Sequence, residues 1–114
     1  MSEHDRATLA ALISALPPES RGELVRMYRR SLTNHLDLIG LRPCTNNEAL
    51  VVALHGLAGS AAMMQDQELS KAARSMESDL REGRVDPAWR RWPTIQALAQ
   101  RTLAQLDSIE AAGA

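Results

Sequence analysis

Apolar residues recur along the chain three and four positions apart, in stretches separated by proline, glycine or short polar runs. The first stretch, residues 4–16, carries Leu9, Leu12, Ile13 and Leu16 at this spacing and predicts a short helix. Pro17-Pro18 ends it, because a proline ring disfavours helical geometry in the residue before it, while Pro18 suits the first turn of a following helix. That helix is predicted from about Pro18 to Ile39. Leu24, Tyr28, Leu32, His35 or Leu36, and Ile39 form its apolar face, and Gly40 forms its C-terminal stop. Leu41 to Asn46 reads as a loop broken by Pro43.

Leu50, Leu54, Leu57, Ala61 and Met64 then form the stripe of a third helix, ending near Met64. Thr45, Asn46 or Asn47 can cap it, and Thr45-Asn46-Asn47-Glu48 has capping-box spacing. Gln65-Asp66 marks a turn, with Asp66 the N-cap candidate for a fourth helix over Gln67 to Glu82 that Gly83 stops. Leu69, Ala72, Ala73, Met76 and Leu80 face inward on it. Val85-Asp86-Pro87 reads as an N-cap followed by proline at the first helical position. The stripe then runs through Trp89, Trp92, Ile95, Ala99, Leu103, Leu106 and Ile109, with a kink or break at Pro93 and the two tryptophans packing at one end. Short connections make sequential helices antiparallel. The expected fold is therefore all-α: one domain over residues 1–114, an up-down-up-down four-helix bundle with a short extra N-terminal helix.

Composition narrows the function more than the fold. Of 114 residues, 45% are hydrophobic, enough for one core, and the aromatics are Tyr28, Trp89 and Trp92 with no phenylalanine. The core is thus aliphatic, which favours helices. Thirteen basic and 14 acidic residues leave a net charge of −1, which argues against a nucleic-acid binder. The single cysteine, Cys44, excludes an internal disulfide and a cysteine zinc site, and it is read as incidental. No apolar run approaches the ~20 residues of a membrane span, and the N-terminus lacks the pattern of a signal peptide. The expectation is a cytoplasmic monomer. GxxxxGK[ST] and GxGxxG are both absent, so no means of binding ATP is visible, and no serine can be placed with a histidine and a carboxylate. Met27, Met63, Met64 and Met76 read as core filler. Arg21, Arg26, Arg29 and Arg30 read as a solvated face, or as one suited to an acidic partner.

The unusual chemistry lies on the third helix. His55 falls opposite its apolar stripe, with Val51, Val52, Ala58, Gly59 and Ala62 beside it on the outer face. Such a surface ordinarily carries Lys, Glu or Gln. Here an imidazole is ringed by short side chains that let a partner approach closely. Each mid-helix glycine, Gly56 and Gly59, costs roughly 1 kcal/mol relative to alanine, so something other than helix stability is served. His55 has no second ligand one turn away in either direction, which argues against a metal site. His4 and His35 lack small neighbours in the sequence; His35 reads as packed near the core.

His55-Gly56-Leu57-Ala58-Gly59-Ser60-Ala61 resembles the signature of histidine-containing phosphotransfer domains: His, any residue, Leu or Ile, Lys, Gly, then small residues. Leu69 to Glu77 is similar to the family's following helix, with Met76-Glu77 where Leu-Glu is common. Ala58 replaces the usual lysine, and Gln65 stands where glycine is common. The resemblance implies that His55 accepts a phosphoryl group from the aspartate of a receiver domain and passes it to another receiver. It also implies that Mg²⁺ comes from the receiver, that this chain needs no cofactor, and that it is a carrier and not an ATP-dependent kinase. Docking would use Val51, Val52, Ala58, Gly59 and Ala62. Antiparallel packing about Gln65-Asp66 puts Arg74 to Ser78 level with His55, making Arg74 the candidate to replace the lysine. The alternative is a non-catalytic docking or inhibitory bundle, which the missing lysine favours.

Overall fold

A computed structural model describes residues 9–40 and 46–111. The described residues are helical with no strand: a helical stretch at 9–14, then α1 (Pro18–Gly40), α2 (Asn47–Met63), α3 (Gln67–Arg81), α4 (Val85–Arg90) and α5 (Trp92–Ala111). Four long helices pack in a ring, α1 on α2, α2 on α3, α3 on α5 and α5 on α1, with the α2–α3 pair the most extensive. Cross-links show the antiparallel sense. Ser31 meets Ser60 while Ala58 meets Ser70 and His55 meets Glu77. The all-α bundle is therefore as the periodicity predicts. The expectations placed on His4, Pro43, Cys44 and Thr45 lie outside the described residues.

The core is aliphatic. Val25, Leu32, Ile39, Leu54, Leu57, Leu69, Met76, Ile95 and Leu106 are fully buried. On α1 Val25 is buried, with Leu24 and Leu36 at the core's edge. Two of the four methionines depart from their expected role: Met64 and Met76 are buried, but Met27 and Met63 face solvent. Two of the arginines on α1 are also tied to the chain itself. Arg21 donates to the carbonyls of Leu16 and Ser14, each at 2.8 Å, and Arg29 pairs with Asp107 at 2.7 Å and Glu110 at 2.5 Å.

The helix ends explain the register of the site. Asn46 caps α2, its side chain accepting the N–H of Ala49 at 2.7 Å. At the other end, the N–H of Asp66 reaches the carbonyl of Ala61 at 2.8 Å and that of Gln65 reaches Ala62 at 3.1 Å. This is a Schellman closure with Gln65 in the left-handed region at φ 63°. α3 closes the same way with Gly83 at φ 78°. Asp66 precedes α3 as expected, but its side chain does not cap it. Its Oδ2 instead accepts the hydroxyls of Tyr28 at 3.0 Å and Thr102 at 2.6 Å, tying the turn to α1 and α5.

The last helical segment is divided, as Pro93 predicts. α4 starts at Val85, with Pro87 in its first turn, and the chain restarts at Trp92 with Pro93 where no interior hydrogen bond is lost. Asp79 holds this corner: Oδ1 accepts from Nε and Nη2 of Arg84 at 3.0 and 2.8 Å, and Oδ2 accepts from Nε of Arg91 at 2.7 Å. Trp89 and Trp92 pack edge to face, centroids 6.2 Å apart at 79°. None of the described helices is long and apolar enough to cross a membrane.

Candidate functional site

α2 sits between α1 and α3 and buries an arc wider than the predicted stripe: Leu50, Ala53, Leu54, Leu57, Ala58 and Ala61. His55 stands on the crest that remains, its side chain 76% exposed. Its Nδ1 lies 3.2 Å from Oε2 of Glu77 on α3. A carboxylate oxygen only accepts, so Nδ1 is the donor in this contact, and in a neutral imidazole the lone pair then lies on Nε2. The same Oε2 accepts from Nε and Nη2 of Arg81, one turn further along α3, at 2.9 and 2.7 Å. Glu77 is itself nearly buried, with its side chain 10% exposed, so the ring is held against a fixed wall.

The residues expected around His55 divide. Gly59 and Val52 are exposed beside it, and Val51 and Ala62 are half-buried. Ala58 is not on the outer face: it is 2% exposed, and its carbonyl accepts the hydroxyl of Ser70 at 2.9 Å. The reason is the helical angle. Position 58 lies about 60° from His55 on the side toward α3, and α3 packs closely there through a serine. Arg74 is exposed on α3, within the stretch predicted to lie level with His55, but the residue of that stretch that reaches the imidazole is Glu77.

The two glycines of α2 differ in kind. A Cβ on Gly56 would stand 2.6 Å from Nε2 of His35, so the glycine makes room for that ring. His35 therefore does have a small neighbour, across the helix interface. Its Nδ1 donates to the carbonyl of Ser31 at 2.8 Å. A Cβ on Gly59 would meet nothing within 4 Å. No intramolecular contact of a Cβ demands glycine there.

On the α1 side of His55 apolar side chains are exposed among polar ones. Val52, 68% exposed, shares a groove with Leu38 and the half-buried His35, Met27 and Leu38 share the next with Arg30, Ser31 and Asn34, and Met63 is 79% exposed further along α2. Val52, Met63, Leu38 and Met27 make up most of the large exposed hydrophobic residues among the described positions. Sequence reasoning did not place Glu77, Arg81, Met27, Leu38 or Met63 around His55. Arg81 had a signal, since Glu77 and Arg81 stand at i and i+4, the spacing of a helical ion pair. Among the described residues no group of three His, Cys, Asp or Glu is placed to hold a metal ion.

Residues 23–109 match the family model described as Hpt domain. No curated protein and no solved structure matches the chain significantly.

Proposed function

The chain belongs to the Hpt-domain family, whose members carry phosphoryl groups in two-component signalling, and on that footing we propose that it is a phosphorelay intermediate with His55 as the acceptor. The observation that supports this most directly is the orientation of the ring. Its proton is committed to Glu77, so the nucleophilic Nε2 is the nitrogen left to a partner. Receiver domains, the general partners of the family, would dock over Gly59 onto the exposed apolar side chains of Val52, Met63, Leu38 and Met27.

The transfer needs no proton movement at the nucleophile. The Nε2 lone pair forms the N–P bond, in line with the departing aspartyl oxygen. The P–O bond breaks, and its electron pair leaves with the receiver's carboxylate. Nδ1–H stays on the ring, facing Glu77, which offsets the positive charge the ring gains. The receiver contributes Mg²⁺. This chain contributes a fixed nucleophile on a shaped face, an effect of positioning. The step reverses toward a second receiver, because both adducts are energy-rich.

Incubation with a phosphorylated receiver domain tests the reading. Label should appear that is labile in acid and stable in base, and His55→Gln should abolish it while melting within a degree or two of the parent. Label retained in His55→Gln would remove His55 from the role. A chain that binds receivers without ever taking label would be the non-catalytic docking module instead. Label from ATP and Mg²⁺ alone would identify a kinase.

A further inference from the structure

We propose that Arg81 is the positioning cation for the phosphoryl group on His55, supplying from α3 the charge that the family's lysine would supply from position 58. The inference rests on the phosphocarrier reading above and deepens it. Position 58 supplies no cation: it is an alanine, 2% exposed under α3, with its carbonyl accepting the Ser70 hydroxyl. Among the arginines with ion-pair partners, Arg29 holds α5, Arg84 and Arg91 hold Asp79, and Arg101 pairs with Glu68, while Arg21 holds the N-terminal stretch. Arg74 is exposed on the same helix but has no hydrogen bond or ion pair to Glu77. Arg81 alone among these shares an oxygen with the His55 ring, because Oε2 of Glu77 is bonded to His55 on one side and to Arg81 on the other.

The chemistry of the fork makes this contact useful. Nε–H and one Nη2–H of Arg81 bind Glu77, and a guanidinium has further N–H donors beyond these. The side chain is 57% exposed, so those donors are not enclosed by the protein. Guanidinium geometry suits phosphoryl oxygens better than an ammonium does, and pivoting about the Glu77 oxygen moves the group along the imidazole without breaking the anchor. A Mg²⁺ held by the receiver would supply countercharge during transfer and would be lost with the receiver, whereas Arg81 belongs to this chain and remains. Its effect therefore falls on the phosphorylated resting state: how long phosphohistidine lasts, and how the phosphoryl group divides between this chain and a receiver.

The test uses phosphoramidate, a small donor that phosphorylates histidine without a receiver, on the full chain. Wild type, Arg81→Gln, Arg81→Met, Arg81→Lys and His55→Gln are compared. The phosphohistidine signal is followed by ³¹P NMR against pH, and partition of label is measured against a phosphorylated receiver. Both neutral variants should move the phosphoryl ionisation to higher pH and lower the share held on His55 about tenfold, as expected for loss of one charge-assisted contact. Arg81→Lys should recover most of both. A merely structural ion pair with Glu77 would shift melting temperature but not the phosphoryl titration. Unchanged titration and partition in the neutral variants, with wild type labelled and His55→Gln unlabelled, would overturn the role of Arg81 and leave the carrier reading standing. Wild type that takes label from neither donor would overturn both.

Discussion

Gly56 and His35 fit together as a hole and its filling: the ring of His35, anchored at Nδ1 to Ser31, occupies the space a side chain at 56 would need. Gly59, one turn of helix from His55, has open space instead. The pair should separate folding from docking. Overpacking costs about 1–3 kcal/mol, and alanine returns about 1 kcal/mol of helix propensity. Gly56→Ala should therefore lose about 1 kcal/mol in denaturant unfolding, and the loss should shrink in a His35→Ala background. Gly59→Ala should gain up to about 1 kcal/mol. Gly59→Gln should fold normally yet transfer about a hundredfold more slowly, since it obstructs an in-line approach. A normal transfer rate in Gly59→Gln would place the docking face elsewhere.

Glu77 is expected to act through the imidazole's tautomer. Glu77→Leu removes the acceptor that keeps the proton on Nδ1, so ¹⁵N spectra of the His55 ring should shift toward a mixture of tautomers and transfer should slow about tenfold. Glu77→Gln can still accept through its amide oxygen and should fall between. A Leu variant with an unchanged ring spectrum would mean that Glu77 serves only to hold Arg81.

The turn between α2 and α3 carries an avoidable cost. A left-handed backbone at a residue with a Cβ is disfavoured by about 1–2 kcal/mol, and Gln65 has φ 63°. Gln65→Gly should raise stability by about 0.5–1 kcal/mol after glycine's greater freedom in the unfolded chain is counted. Gly83→Ala, at φ 78° in the equivalent turn, should lose about 1 kcal/mol. Thermal melts of the two variants should move in opposite directions. A loss in Gln65→Gly would show that its side chain stabilises the turn by more than the backbone costs.

Two carboxylates should shape the acid limb of stability in opposite senses. The guanidinium of Arg91, then that of Arg84, holds Asp79 below the usual carboxylate range. Its contribution is present above the unfolded-state value near 3.9 and lost as pH falls through its lowered native value. Burial pushes Asp66 up, against the lowering effect of the Thr102 and Tyr28 hydroxyls. The native state then binds that proton more readily than the unfolded chain, so stability declines as pH rises through the window above about 3.9. Asp79→Asn should be less stable than wild type at pH 7 and converge with it on acidification, whereas Asp66→Asn should flatten the decline. Urea midpoints from pH 2 to 7 decide the matter, and parallel curves for all three proteins would refute both assignments.

Helix order, the exposure of His55 and the break at Pro93 were legible because period, proline and glycine act locally. The level of α3 opposite His55 was legible too, since a short turn fixes register. What the sequence left open was rotation. Ala58 lies only three residues from His55, yet the packing of α3 decides that it is buried; Arg74 and Glu77 are three apart, and the same rotation gives the imidazole to Glu77. Asp66 showed the same limit: its position before α3 was evident, but its hydroxyl partners come from α1 and α5, far away in sequence.

That difference in sequence distance bears on the order of folding. The contact of His55 with Glu77 spans 22 residues and that of Ser70 with Ala58 spans 12, both inside one helical hairpin. The Asp66 hydroxyl bonds span 38 and 36 and close the ring of helices. Local contacts lose less loop entropy and form sooner. In chevron experiments Ser70→Ala should slow folding, whereas Tyr28→Phe and Thr102→Val should chiefly hasten unfolding. The reverse pattern would make closure of the ring the nucleating event. A nucleus in the α2–α3 hairpin would mean that the histidine meets its carboxylate before the bundle is complete, so that this pairing would be inherited from the earliest structure the chain makes.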